Sequence, residues 1–196
     1  MIIAVDAMGG DYAPAELVKG AAEGSRLHGV DVVLVGDEGA IRRHLPPESA
    51  RSSAITIRHT ADVIGMDEHV EAVRTRKDAS VVVAAALVKE GKADAMVSMG
   101  NTAAAMAVAT LRMGRIRGID RPAIATLLPS RSGVSILLDA GAVADCTVEN
   151  LRQFAVMGSV YAEKVLSISN PRVGLLSIGE EKSKGNELVR GAYEVL

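Results

Sequence analysis

The sequence predicts an α/β fold of three layers, with a mostly parallel, partly mixed sheet between helices. Three observations carry that prediction. Short runs of β-branched and aliphatic residues recur along the chain, most of them continuous rather than alternating, as in strands buried on both faces. Segments of helical length separate most of these runs, which implies parallel pairing through right-handed crossovers. Hydrophobic residues make up 48% of the 196 residues but aromatics only 2%, with no Trp, a composition suited to helices packed closely on a buried sheet.

In chain order, Ile2 to Val5 is the first strand, and its position at the N-terminus gives it the wrong flanks for a signal peptide. Pro14 stands where a first helical turn begins, and Ala15 to Leu27 follows at helical period. Further strands are expected at Val32 to Val35, Ile55 to Ile57, Ala95 to Val97, Ala123 to Leu127, Val134 to Leu138 and Val173 to Ile178. Further helices are expected at Glu38 to Leu45, Ser80 to Glu90, Asn101 to Met113, Thr147 to Val165 and Asn186 to Leu196. Pro129-Ser130-Arg131-Ser132-Gly133 is too short for a helical crossover, so the strands it joins are read as an antiparallel hairpin. Thr147 supplies a hydroxyl N-cap with acidic company at Glu149. Pro46-Pro47-Glu48-Ser49 and Arg58 to Asp67 are loops. Residues 1–196 are read as one α/β domain, and the last helix reaches Leu196 without a cap or glycine, which predicts a chain cut in or just after a helix.

Composition narrows the partners. A formal net charge of -2 supplies no basic field for nucleic acid. The lone Cys146 rules out an intramolecular disulfide framework and fits a reducing, cytoplasmic compartment. No apolar run approaches the roughly 18 residues of a spanning helix. His28, His44, His59 and His69 lack metal-ligand spacing, so neither a metal nor a cofactor is expected.

Glycine-rich polar stretches gather at the carboxyl ends of the expected strands, where open α/β sheets bind ligands. They are Asp6-Ala7-Met8-Gly9-Gly10-Asp11, Ser98-Met99-Gly100-Asn101-Thr102, Asp139-Ala140-Gly141-Ala142-Val143-Ala144-Asp145-Cys146, and Gly179-Glu180-Glu181-Lys182-Ser183-Lys184-Gly185-Asn186. The second turns from a strand into an alanine-rich helix, leaving backbone N–H groups aimed at one point, an arrangement suited to an anion. Taken singly, each loop reads equally as a turn, and the Glu180 to Lys184 run reads more readily as a solvated charge cluster, the usual fate of such runs.

Those loops, with Arg76-Lys77-Asp78-Ala79-Ser80 and Gly118-Ile119-Asp120-Arg121-Pro122-Ala123, occur in an order that resembles the bacterial phosphate acyltransferase family. The resemblance covers the whole chain, although family members continue well past Leu196. Ala103 and Val143 stand where the family has Gly and Asn. The resemblance implies transfer of an acyl group from acyl carrier protein to inorganic phosphate, giving acyl phosphate for phospholipid synthesis. It also implies a fold like that of phosphotransacetylases and isopropylmalate dehydrogenases, a homodimer, and loose association with the membrane face.

Phosphate attack on a thioester needs an oriented anion and donors for the developing oxyanion. The catalytic candidates are Lys184, Asn101 and Asp139. Lys184 would pair with phosphate and Asn101 would donate to the thioester oxygen, while Asp139 and Glu180 would orient Lys184 and nearby amides. The remaining substrate-binding candidates are Asp6, Gly9, Gly10, Gly100, Thr102, Ala103, Glu181, Gly185 and Asn186. Arg74, Arg76, Lys77, Arg112, Arg115 and Arg117 are candidates for docking the acidic carrier protein, and equally for cations placed near helix ends. Cys146 and Ser177 are the covalent candidates near strand ends, but neither has a visible base, so direct transfer is expected. Two rival readings are a non-catalytic fragment that binds carrier protein or dimerises, and a metal- and NAD-dependent dehydrogenase of the same fold.

Overall fold

The structure is a computed structural model, which describes residues 1–131, 133–179, 181 and 184–196. Ser132, Glu180, Lys182 and Ser183, all within loops singled out above, lie outside the described residues. The chain divides into two compact units, Met1–Gly114 and Arg115–Leu196.

The first unit is built on a four-stranded parallel sheet of β1 (Ile2–Asp6), β2 (Asp31–Gly36), β3 (Ile55–His59) and β4 (Ala95–Ser98). Its spatial order is β3-β2-β1-β4. The chain steps outward from β1 to β3, then returns to the other side of β1 to lay down β4. The direction of connection therefore reverses between β1 and β4, and the register sets Asp6 beside Ser98 at their carboxyl ends.

The period-2 pattern of the strands divides the core by face. Val5, Val32 and Leu34 pack with Val18 and Ala22 of α1 (Ala15–His28) and Ile41 of α2 (Glu38–His44). Ala4 and Val35 face the other way, against Ala84 of α4 (Ser80–Lys89). Each fully buried Val, Leu or Ile among them contributes about 1.5–3 kcal/mol. Gly29 ends α1 in the left-handed conformation (φ 62°) and donates its N–H to Ser25 O, as a helix C-terminus favours. A third cluster joins Val73 of α3 (Ala72–Thr75), Val82 and Ala85 of α4, and Ala104 and Val108 of α5 (Thr102–Val108). The helix expected over Asn101 to Met113 keeps its extent but changes pitch, with a π-helical turn at Ala109–Met113.

The second unit holds the antiparallel hairpin of β5 (Thr126–Ser130) and β6 (Gly133–Leu137), paired only with each other among the described residues. α6 (Val148–Lys164) opens with a complete capping box between Thr147 and Asn150, and α7 (Glu187–Tyr193) is capped by Asn186. Two expectations are corrected. The strand placed from Ala123 begins at Thr126, and Val173 to Ile178 is irregular rather than a strand. Apolar content alone does not make a strand. The run carries Gly174 at its second position and finds no ladder partner in the described residues, and strand preference is largely a matter of such context. Among the described residues no helix is long and apolar enough to cross a membrane.

Candidate functional site

At the carboxyl ends of β1 and β4 the first two glycine loops come together. Asp6 is 2% exposed, and its Oδ2 accepts a 2.7 Å hydrogen bond from Ser98 Oγ while Oδ1 accepts from Met8 N at 3.3 Å. Ser98 Oγ in turn accepts from Gly100 N at 3.2 Å. The two loops touch through backbone. A Cβ on Gly9 would sit 2.4 Å from Asp6 Oδ2 and 3.0 Å from Gly100 N, and one on Gly100 would meet Gly9 Cα at 3.1 Å. Gly10 adopts φ 118°, a conformation suited to glycine, beside Met99 O. Asp6, Gly9, Gly10 and Gly100 are thus brought together, with the exposed Thr102 and Ala103 opening the following helix.

Asn101 is more committed than the sequence suggests. Its Oδ1 accepts from Ala104 N at 3.0 Å as the cap of α5, and its Nδ2 donates to Met66 O at 2.9 Å and Glu68 O at 3.1 Å. Both ends of the amide therefore hold the Ile64 to His69 loop against the head of the helix. Arg76 fixes that loop from the other side. Its Nε donates to both oxygens of Asp62 at 3.0 and 3.1 Å, Nη1 donates to Glu68 Oε2 at 2.6 Å, and Nη2 also engages Asp62. Hydrogen bonds from Arg76 hold both carboxyls below their usual range, and the two carboxylates keep Arg76 protonated far above neutrality. The guanidinium proposed for docking is therefore already balanced locally, whereas Arg74 and Lys77 are exposed. Arg112 is partly buried, with a long contact from Nη2 to Val73 O at 3.5 Å and, among the described residues, no partner for its Nε.

The other candidates belong to the second unit. Asp139 uses both oxygens on backbone amides, Oδ1 accepting from Ile124 N at 2.7 Å and Oδ2 from Val143 N at 2.8 Å. It is a clasp for the Gly141 loop. Burial raises the pKa of the Cys146 thiol and the Asp139 charge raises it further, so at neutral pH it is a thiol and a poor nucleophile. Arg115 donates to Asp120 O, and Arg117 is exposed. Lys184 lines a pocket of about 380 Å³ together with Ser177, Glu181, Arg190 and Tyr193. Ser177 Oγ is buried there without a hydrogen-bond partner among the described residues, Gly185 passes it closely with φ 88°, and Arg190 Nη1 donates to Gly185 O at 2.8 Å. Asn186 Oδ1 accepts from Val189 N at 2.9 Å as the cap of the following helix. Glu180 lies outside the described residues.

Sequence reasoning missed the Arg76–Asp62–Glu68 clamp and Arg190. Arg190 had a local signal, since it stands four residues after the Asn186 cap, where helix side chains reach back to the first turn. The clamp had none, because its members are separated by loop.

Comparison with known proteins gives the family of the chain. The sequence model of a family described as "Fatty acid synthesis protein" matches residues 1–196. The chain belongs to that family. Proteins named phosphate acyltransferase are similar throughout its length: one from Desulforamulus reducens is 53% identical over 195 residues, 99% of this chain and 58% of the relative. One from Heliobacterium modesticaldum is 56% identical and one from Dictyoglomus turgidum 51%, each over 198 residues, covering all of this chain and 59% of the relative. The chain thus spans rather more than half the length of these acyltransferases. In this chain the paired loops of β1 and β4 stand where the general rule for open sheets places a ligand.

Proposed function

We propose that this chain carries the phosphate-handling part of an acyltransferase that moves a fatty acyl group from acyl carrier protein to inorganic phosphate, yielding acyl phosphate for phospholipid synthesis. The observation that carries the reading is the reversal of connection between β1 and β4, where Gly9 and Gly100 bring two backbones within contact and leave small, polar, open ground beside Thr102. Backbone N–H groups there suit a doubly charged anion, and the absence of side chains lets it approach closely. Near neutral pH phosphate is itself a competent nucleophile, so the protein needs to position it and to stabilise the oxyanion that forms as the P–O–C bond is made and the thiolate leaves. Lys184 is the proposed cation for phosphate or acyl phosphate. Asn101 is proposed to donate from its amide to the thioester oxygen, which requires Nδ2 to turn from the carbonyls of Met66 and Glu68 to which it donates in this structure. The protonated state of Cys146 supports direct transfer over an acyl-enzyme. Arg74 and Lys77 are proposed to meet the acidic carrier protein, and the assembly is proposed to be a homodimer working at the membrane face.

The test is acyl transfer to phosphate by a family-length protein carrying these residues. Lys184→Ala and Asn101→Ala are each expected to lower the rate by about 10²- to 10³-fold, the usual cost of one oxyanion or anion donor. Cys146→Ser is expected to leave it unchanged. Unchanged rates in both Lys184→Ala and Asn101→Ala would remove this site. A chain that binds carrier protein but shows no thermal shift with phosphate would instead favour a non-catalytic docking role.

A further inference from the structure

The first unit leaves one side of its sheet half covered. On the face carrying Ile3 and Val5, α1 lies over β2 and α2 over β2 and β3, whereas among the described residues the principal helix packed on β4 is α4, on the opposite face. Parallel strands are as a rule covered on both faces, because their apolar side chains point both ways. Here Val97, the β4 neighbour of Val5, is 39% exposed, and Met99 just beyond it is 64% exposed. Between this bare strip and the flank of α1 runs an apolar groove of about 510 Å³, floored by Ile3, Val5 and Val97 and walled by Leu17, Gly20 and Gly24.

The shape of the groove indicates its occupant. A small-ligand site needs a few polar groups converging on it. Three of the four polar or titratable side chains at this rim are already engaged: Asp6 by Ser98, Glu16 by Lys19, and Ser25 by Val30 O. Gly20 and Gly24 lie one turn apart and have nothing within 4 Å of where a Cβ would stand. Removing side chains at that spacing lets a second helix approach α1 at the near end of the usual 8–10 Å axial separation. The relatives carry about two fifths of their length outside the stretch they share with this chain. We propose that the groove is the seat of an amphipathic helix from that unshared region, its apolar stripe laid on β1 and β4 and its backbone against Gly20 and Gly24.

The two glycines provide a test with opposite signs. In the 196-residue chain alone, Gly20→Leu with Gly24→Leu is expected to hold or raise the thermal midpoint, since both positions are open and both glycines weaken a helix. A chimera that joins this chain to the unshared region of the Desulforamulus reducens relative is expected to melt higher than the chain alone and to lose several-fold of the fluorescence of a bound hydrophobic dye. In that chimera the same two substitutions are expected to lower the midpoint and restore the dye signal. A chimera no more stable than the chain alone would overturn the inference, as would substitutions that shift both proteins in the same direction. So would sedimentation showing that the chain alone pairs through this face and that the two leucines dissolve the pair, because the occupant would then be a second copy.

Discussion

Asp6 and Gly9 show how closely the candidate site is fitted. Asp6 is a carboxylate with almost no exposure, and Ser98 Oγ is the one side-chain donor it receives among the described residues. Ser98→Ala is therefore expected to cost about 1–3 kcal/mol, the usual price of stranding a buried acceptor, read as a lower urea midpoint at unchanged slope. Gly9→Ala is expected to cost a similar amount, about 1–3 kcal/mol, because its new methyl meets Asp6 Oδ2 and the Gly100 backbone together. Gly24→Ala is the control, expected to be neutral or to stabilise by up to about 1 kcal/mol at its open helical position. The same chemical change made at two glycines separates close approach from mere flexibility. Equal effects at both would mean that the loops do not touch.

At the scale of elements, the Ile64 to His69 loop is held at two points, by the Asn101 amide and by the Arg76 clamp. The clamp gives it a pH dependence whose sign is fixed. Asp62 and Glu68 titrate lower in the folded protein than their ordinary values of 3.8 and 4.5, so the ionised forms are the ones folding favours. Their contribution is complete above about pH 5 and fades as pH falls through the lowered values. The protection of amides in residues 62–69, taken relative to the intrinsic exchange rate at each pH, is expected to fall below about pH 4, before that of the sheet, and Arg76→Gln is expected to produce that loss of protection already at pH 7. If the loop kept the same protection, relative to the intrinsic exchange rate at each pH, at pH 7 and at pH 3.5 in the unsubstituted chain, the clamp would not be holding it. In the second unit, Thr147→Ala removes half of a capping box and is expected to cost about 0.5–2 kcal/mol in a thermal melt.

For the molecule as a whole, what was legible in the sequence was what is local. Ile2 to Val5, Val32 to Val35 and the apolar run from Val81 announce buried elements by composition, and Thr147 announces a helix start. Strand order is not local, so the reversal between β1 and β4 that pairs Asp6 with Ser98 could be suspected from loop composition but not located. The Val173 to Ile178 run looked like a strand because strand preference cannot report whether a partner edge exists. The same distinction between local and shared structure separates the two units in stability. Among the described residues the three buried aliphatic clusters all lie within residues 1–114, whereas the second unit buries few side chains, chief among them Phe154, the chain's only phenylalanine, at 2% exposure. Hydrogen exchange is therefore expected to be slowest in β1, β2 and α4 and much faster in the β5–β6 hairpin, whose residues are largely exposed. Phe154→Ala is expected to remove about 3–5 kcal/mol, enough to unfold the second unit in mild urea while the amides of β1 and β2 remain protected. If β1 and β2 lost protection in step with α6, the chain would unfold as a single cooperative body, and the concentration of stability in residues 1–114 would be wrong.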